Sequence, residues 1–396
     1  MADTYSDNIR HVDSGGYLAD NTAMVSRYPA LSRLKIPHEI HHSNKLVKWL
    51  MRIAEAKPFL DEYLGTPQEI RLLRKAKVRA ITYSNQIEGN PLGEDEVTAV
   101  LQGRRVAGTP KDIQEVQNYI LALEYVEKLA HDERSIKVSD MCDIQRLLTD
   151  KTLIKSQCGR IRTIPVSIVN ASTNVKIDDC PAPHALQDLL DDLWRWLEET
   201  KDMNPFSRAF AFHYIAVSIH PFADGNGRTM RLMQHLLLLR GGQKLARFVP
   251  SETAIMRTRN QYYFAIRQSR TLLRLDPILE YLAECFAISA ENVVEEGRKL
   301  LRESAGKTPD ARHRKILASA AKYETFSITD VVGWLPNIPR RTLERDLASL
   351  VRTRHLKAKG RLKARTYSLS STDPHPKTVA SRLRPSYNGK KSAPRS

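Results

Sequence analysis

Two runs of this chain, Phe206–Ile219 and Thr229–Leu239, are apolar around nearly the whole helical circumference, and only the stretch HPFADGNGR separates them. A helix with no polar face has to be enclosed by other elements. Two such helices joined by a short loop predict an antiparallel pair at the centre of the fold, with the loop held at its tip. Amphipathic patterns that can wrap the pair run over Leu46–Phe59, Gln68–Glu88, Glu94–Leu101, Asp112–Leu129, a helix through Leu148 with Ser139 as N-cap, Leu186–Leu197, and a block over Glu252–Leu301. The predicted class is mostly α. The texture changes once before residue 300. IRTIPVSIVN and VKI are β-branched and separated by ASTN, which predicts a β-hairpin over Ile161–Ile177, ended by Pro181 and Pro183.

At 396 residues, 41% hydrophobic and 27% charged, the chain is long enough for more than one core. No apolar run is long enough to cross a bilayer, and the N-terminus lacks the basic start and apolar run of a secretory signal. A cytoplasmic protein with no membrane partner is expected. Cys142, Cys158, Cys180 and Cys285 form no CxxC pair, so neither a zinc clip nor a disulfide framework is signalled. His38, His41 and His42 have only Glu39 beside them and read as packing or solvent-exposed side chains. The formal net charge of +17 is unevenly placed: residues 301–396 hold 22 Lys and Arg against 7 Asp and Glu, whereas residues 1–300 hold 40 against 38.

The chemistry concentrates in His220–Arg231, HPFADGNGRTMR. Gly225 and Gly227 allow close backbone approach just where a long helix begins. Unpaired amides and the helix dipole make such a start an anion site. Arg228 and Arg231 stand three apart and can reach the same side of it, each able to hold phosphate oxygens bidentately. Asp224 supplies a hard oxygen ligand for Mg²⁺ shared with those phosphates. His220 precedes the anion site and can act as a general base near neutral pH. The set implies nucleotidyl or phosphoryl transfer to a nucleophile that His220 deprotonates.

This segment resembles the Fic family signature HPFx(D/E)GNGRxxR at every specified position, and the likeness extends from about Lys45 to Phe286. The resemblance implies a Fic-type helical core with a β-hairpin flap. It also implies transfer of AMP from ATP to a Ser, Thr or Tyr hydroxyl of a protein target, the enzyme itself included. His220 would be the base and Asp224 the Mg²⁺ ligand. The Gly225–Gly227 amides and Asn226 would hold the α- and β-phosphates, Arg228 the β-phosphate and Arg231 the γ-phosphate. Phe222 would anchor the loop. Related Doc-type kinases carry Lys where Gly227 stands, which favours AMP transfer over phosphoryl transfer. Tyr262 and Tyr263 fall at the family's tyrosine pair and would wall the adenine; Arg270 stands where some relatives contact the base. The flap Thr163, Ile164, Pro165, Val166, Ser167 and Ile168 would align a target segment by strand addition.

Ser84 and Glu88 lie one turn apart at the end of a predicted helix, with Gly89 as its C-cap. The segment resembles the family's inhibitory motif (S/T)xxxE(G/N), in which the Glu pairs with the arginine corresponding to Arg231 and displaces the γ-phosphate. In some relatives the same Glu supports removal of AMP.

The basic quarter reads as a separate module. A helix at Ala311–Lys322, another near Ile328–Leu335, a third from Arg340 to Arg354 opened by Pro339, and two short strands around Gly360 form a winged helix-turn-helix pattern. Its arginines and lysines fit either duplex DNA or a protein partner. The expected organisation is therefore an N-terminal helical region over 1–110 with an inhibitory helix at about 68–89, a Fic catalytic domain over 111–302, a winged helix over 306–370 and a disordered basic tail over 371–396. Alternative functions are a DNA-binding regulator whose Fic domain senses nucleotide, or a net AMP-removing enzyme. Family relatives often dimerise, so a homodimer is compatible with the apolar helices.

Overall fold

The computed structural model describes residues 27–34, 40–169, 176–304, 311–321, 323–336, 338–360 and 365–370. The predicted tail 371–396 and His38 lie outside the described residues. The chain divides into two compact units, Met1–Leu300 and Leu301–Ser396.

In the first unit α1 (Pro29–Arg33), α2 (Asn44–Asp61), α3 (Pro67–Ile87), α4 (Glu94–Leu101), α5 (Pro110–Ala130) and α6 (Val138–Thr149) precede a short hairpin, β1 (Ser167–Val169) and β2 (Lys176–Asp179). Then follow α7 (Leu186–Glu199), α8 (Pro205–Ile219), α9 (Asn226–Arg240), α10 (Glu252–Arg257), α11 (Arg259–Leu272) and α12 (Asp276–Ser304). The apolar pair α8 and α9 is central. It packs on itself, on α5 and α6 through α9, and on α7 through α8. Phe210, Phe212, Tyr214, Met233 and Leu236 are fully buried. Phe222, in the loop between the two helices, is also fully buried and anchors the loop from below. Of the Trp194–Trp196 segment, Trp196 is buried and Trp194 donates from Nε1 to the carbonyl of Ile136 at 3.0 Å.

Three predicted details differ. Ser139 is not the N-cap of α6. The helix starts at Val138, and the Asp140 carboxylate closes it by accepting the Lys137 N–H at 2.7 Å. The hairpin strands begin only at Ser167, and β2 runs on to Asp179. Pro165 has no N–H to give a ladder, and the carbonyls of Ile164 and Pro181 are taken by the side chain of Arg162. Finally, α9 begins at Asn226 rather than Thr229, so the glycine-rich segment itself forms the first turn.

The second unit contains α13 (Ala311–Ala320), β3 (Phe326–Ser327), α14 (Ile328–Trp334), α15 (Arg340–Arg352), β4 (Leu356–Lys359) and β5 (Thr366–Leu369). Its sheet is antiparallel in the order β3-β5-β4, with Phe326 opposite Tyr367 and Lys359 opposite Thr366. It encloses its own core, built from Ile316, Phe326, Val331, Leu343, Leu347, Leu350, Leu356 and Tyr367. The order of elements is that of a winged helix; the strand β3 carries no sequence signal because it is two residues long.

Candidate active site

The helix α8 ends because His220 takes a left-handed conformation, with φ 52° and ψ 61°. A non-glycine residue there is strained by ~1–2 kcal/mol, so its surroundings must hold it. Its carbonyl receives the Nε of Arg162 at 2.8 Å, and the carbonyl of Pro221 receives the N–H of Arg162 at 2.9 Å. The imidazole Nδ1 lies 3.3 Å from the carbonyl of Val217. A carbonyl only accepts, so Nδ1 carries the proton and Nε2 keeps its lone pair. Burial, opposed by the Val217 contact, holds the imidazole below its ordinary pKa of 6.5, which keeps it neutral at physiological pH.

The loop then folds back on itself. Phe222 N–H donates to Asn226 Oδ1 at 2.9 Å, and Asn226 Nδ2 donates to the Phe222 carbonyl at 2.8 Å. Both ends of the Asn226 amide are thus used in closing the loop. Gly225 sits at φ 80°, a conformation that favours glycine, and its N–H is held by Asp224 Oδ1 at 2.6 Å. Asp224 itself is exposed. Gln145 on α6 steadies the loop by donating to the Asp224 carbonyl at 3.0 Å.

Glu88, at the C-cap of α3, reaches this helix start. A methyl group built on Gly227 would overlap its Oε1, so the carboxylate lies directly against the first turn of α9. Arg231 is buried and grips the same segment three times: Nε to Ser84 Oγ at 2.8 Å, Nη2 to the Ser84 carbonyl at 2.9 Å, and Nη2 to Glu88 Oε1 at 2.8 Å. Arg228 is also buried. Its Nη1 stands 3.4 Å from Glu115 and 3.5 Å from Asn85 Oδ1. Burial alone would raise the pKa of Glu88, but Arg231 and Arg228 outweigh it and hold the carboxyl below the usual range. Glu252, more deeply buried than Glu88, is instead pushed upward by burial. Glu88 is therefore the ionised partner, and an anion at a helix N-terminus is further favoured by the dipole.

These distances bring His220, Asp224, Asn226, Gly227, Arg228, Arg231, Ser84 and Glu88 into one site. A model of the Fic/DOC family matches residues 135–238, which covers α6 through most of α9. The chain carries a Fic domain. Among relatives, the protein adenylyltransferase Fic of Nematostella vectensis is 30% identical over 276 residues, 67% of this chain and 58% of its own length. The protein adenylyltransferase fic-1 of Caenorhabditis elegans is 30% identical over 220 residues, 54% of this chain and 40% of its own. The chain spans about half the length of the curated relatives it matches. A crystal structure of a Fic family protein from Desulfovibrio desulfuricans G20 is similar with a TM-score of 0.58 and 26% identity, covering 85% of this chain and 99% of that one.

Around the Fic domain's motif, the tyrosine pair divides. Tyr262 is buried, with its hydroxyl 2.8 Å from His213 Nε2, so it belongs to the core. Tyr263 is half-buried, its ring 5.3 Å from that of Tyr262 and 5.7 Å from the Arg259 guanidinium, and it is the member of the pair open to a ligand. Of the flap residues, Thr163, Ile164, Pro165 and Ser167 are exposed and Val166 is half-buried; the side chain of Ile168 lies outside the described residues. Three contributors had no motif to announce them. Arg162 ties His220 to both ends of the hairpin, while Glu115 and Gln145 come from helices that the sequence marks only as amphipathic. The one available signal was an arginine set inside the β-branched run that opens at Ile161.

Proposed function

We propose that this chain is an autoinhibited protein adenylyltransferase, moving AMP from ATP to a Ser, Thr or Tyr hydroxyl of a protein target. The observation that carries the reading is the ionised carboxylate of Glu88 resting on the Gly227 turn and gripped by Arg231, beside an imidazole with an uncommitted Nε2. A carboxylate held at a helix start by an arginine stands in for a phosphate group. With ATP in its place, Arg231 and Arg228 would hold the terminal phosphates and the first-turn amides the inner ones. The exposed carboxylate of Asp224 suits Mg²⁺, which would neutralise phosphate charge when bound. His220 Nε2 takes the proton of the target hydroxyl, the hydroxyl oxygen forms a bond to the α-phosphorus, and the bond to pyrophosphate breaks. Arg162 holds His220 and the hairpin in register, so that a target strand laid on the hairpin presents its hydroxyl to that imidazole. Tyr263 would stack on the adenine.

Glu88 acts as the brake by taking the place of the γ-phosphate on Arg231. Its nearness to His220 also supports a second activity of the same site, removal of AMP from the target. The test is incorporation of ATP labelled at the α-phosphate into protein, compared between wild type, Glu88→Gly and His220→Ala. More label in Glu88→Gly than in wild type, and none in His220→Ala, supports the reading. Equal label in all three, or label from the γ-phosphate instead, overturns it.

A further inference from the structure

We infer that the second unit binds the phosphate backbone and major groove of duplex DNA through one face of α15, with β4 and β5 resting on the flanking phosphates. The inference is independent of AMP transfer and rests on how charge is distributed in this unit. Residues 311–370 contain 14 Lys and Arg against 4 Asp and Glu. Two of the four acids are already neutralised: Asp346 is buried against Arg312 and His313, and Glu344 pairs with Arg340 at 3.1 Å. The positive excess is therefore not cancelled within the unit.

Its placement is ordered. On α15, Leu343, Leu347 and Leu350 face the core. The opposite stripe, at spacings of four, three and four, is Arg341, Arg345, Ala348 and Arg352, all exposed. Among the described residues, none of these three arginines forms an ion pair or hydrogen bond. Ala348 in the middle leaves the helix surface flat, so a surface as close as a base edge can approach. From Arg341 to Arg352 the helix rises about 16 Å, or ~5 base pairs of duplex at 3.4 Å each. The major groove, about 12 Å wide, admits one helix. On the hairpin, Lys357 and Lys359 alternate with the inward Leu356 and Ala358, and Arg365 is exposed at the start of the next strand. A helix stripe for the groove and a neighbouring basic hairpin for phosphates match a polyanion of regular geometry better than an acidic loop of a protein, which would need no 16 Å line.

The test uses the full chain and fluorescence anisotropy with a labelled 25-base-pair duplex of mixed sequence, titrated between about 30 and 200 mM KCl. Two triple variants are compared: Arg341→Ala/Arg345→Ala/Arg352→Ala, and a control of equal charge change, Lys57→Ala/Lys128→Ala/Lys244→Ala, all three exposed in the first unit. We expect the wild type and control to bind with steep salt dependence. The stripe variant should lose at least tenfold in affinity, with the slope of log affinity against log salt shallower by about 2 to 3. A single Arg345→Gln variant, checked for an unchanged thermal transition, should lose part of that affinity. Absence of binding at 30 mM KCl overturns the inference, as do equal losses in the two triples. Displacement by poly-glutamate as effective as that by unlabelled duplex also overturns it, since the surface would then be a docking site for an acidic protein. Label incorporation in the same preparations should be unchanged, so failure here leaves the AMP-transfer reading standing, and the reverse holds too.

Discussion

Arg231 and Arg345 are the same side chain used in opposite ways. Arg231 is almost fully enclosed and bonded three times to one short segment, Ser84–Glu88. Arg345 stands in solvent and, among the described residues, touches no acid. The same holds for their neighbours: Arg228 and Arg162 are buried against fixed partners, whereas Arg341 and Arg352 are exposed. A buried guanidinium has lost its water and its freedom before any ligand arrives, so it suits a small anion of fixed shape. An exposed row keeps both, which suits a long polyanion whose counterions are released on contact. Depth of burial, rather than residue type, separates the proposed catalytic cradle from the proposed docking face.

That contrast can be broken at several places. The largest effect is expected at His220. His220→Ala should lower AMP transfer by roughly 10²–10⁴ while leaving the affinity for duplex DNA unchanged. Because burial depresses the imidazole pKa, the acid limb of the rate should fall below pH 6.5 rather than at it. The sign follows from the base being the neutral form: a lowered pKa extends the active form toward acid. An acid limb above pH 6.5, measured in Glu88→Gly to remove the brake, would show that another group limits the rate.

Next in size is Glu88→Gly. Losing one charge-assisted pair of about 1.5–3 kcal/mol should raise incorporation roughly ten- to hundredfold. Since the Glu88 carboxyl is held below its usual range, mild acid should not mimic this variant; an activity surge between pH 6 and 5 in wild type would contradict the assignment. Arg162→Lys keeps the charge but cannot reach His220, Ile164 and Pro181 together. Its kcat should drop about tenfold, by misplacing the imidazole, with the KM for ATP little changed. A KM effect alone would assign Arg162 to nucleotide binding instead. The smallest change is expected for Tyr263→Ala, with the KM for ATP raised about two- to tenfold by the loss of one stacking partner; Tyr262→Phe, by contrast, should act through thermal stability, since its hydroxyl is bound to His213. His213 itself is held down to about 3 by burial, so this contact should be indifferent to pH above 5.

Much of this was legible along the chain. Apolar patterning on all faces of Phe206–Ile219 and Thr229–Leu239 determines a buried helix pair, because no other placement shields them from water. The glycines, histidine and arginines of the intervening loop predict an anion site, because glycine permits close backbone approach at a helix start. Ser84 and Glu88 were readable only through their resemblance to the family's inhibitory motif; by spacing alone, a helix end bearing a carboxylate would pass as surface. Which residues meet across the chain was settled by tertiary packing alone. Arg162 finds His220 from 58 positions away, and Arg228 meets Glu115 from 113 positions away. The division of Tyr262 from Tyr263, adjacent in sequence, is likewise decided by which side of α11 faces the core. The physical reason is common to all of them. Periodicity and glycine act within a turn or two and leave a local trace, whereas a buried polar side chain takes whatever partner the packed helices bring to it.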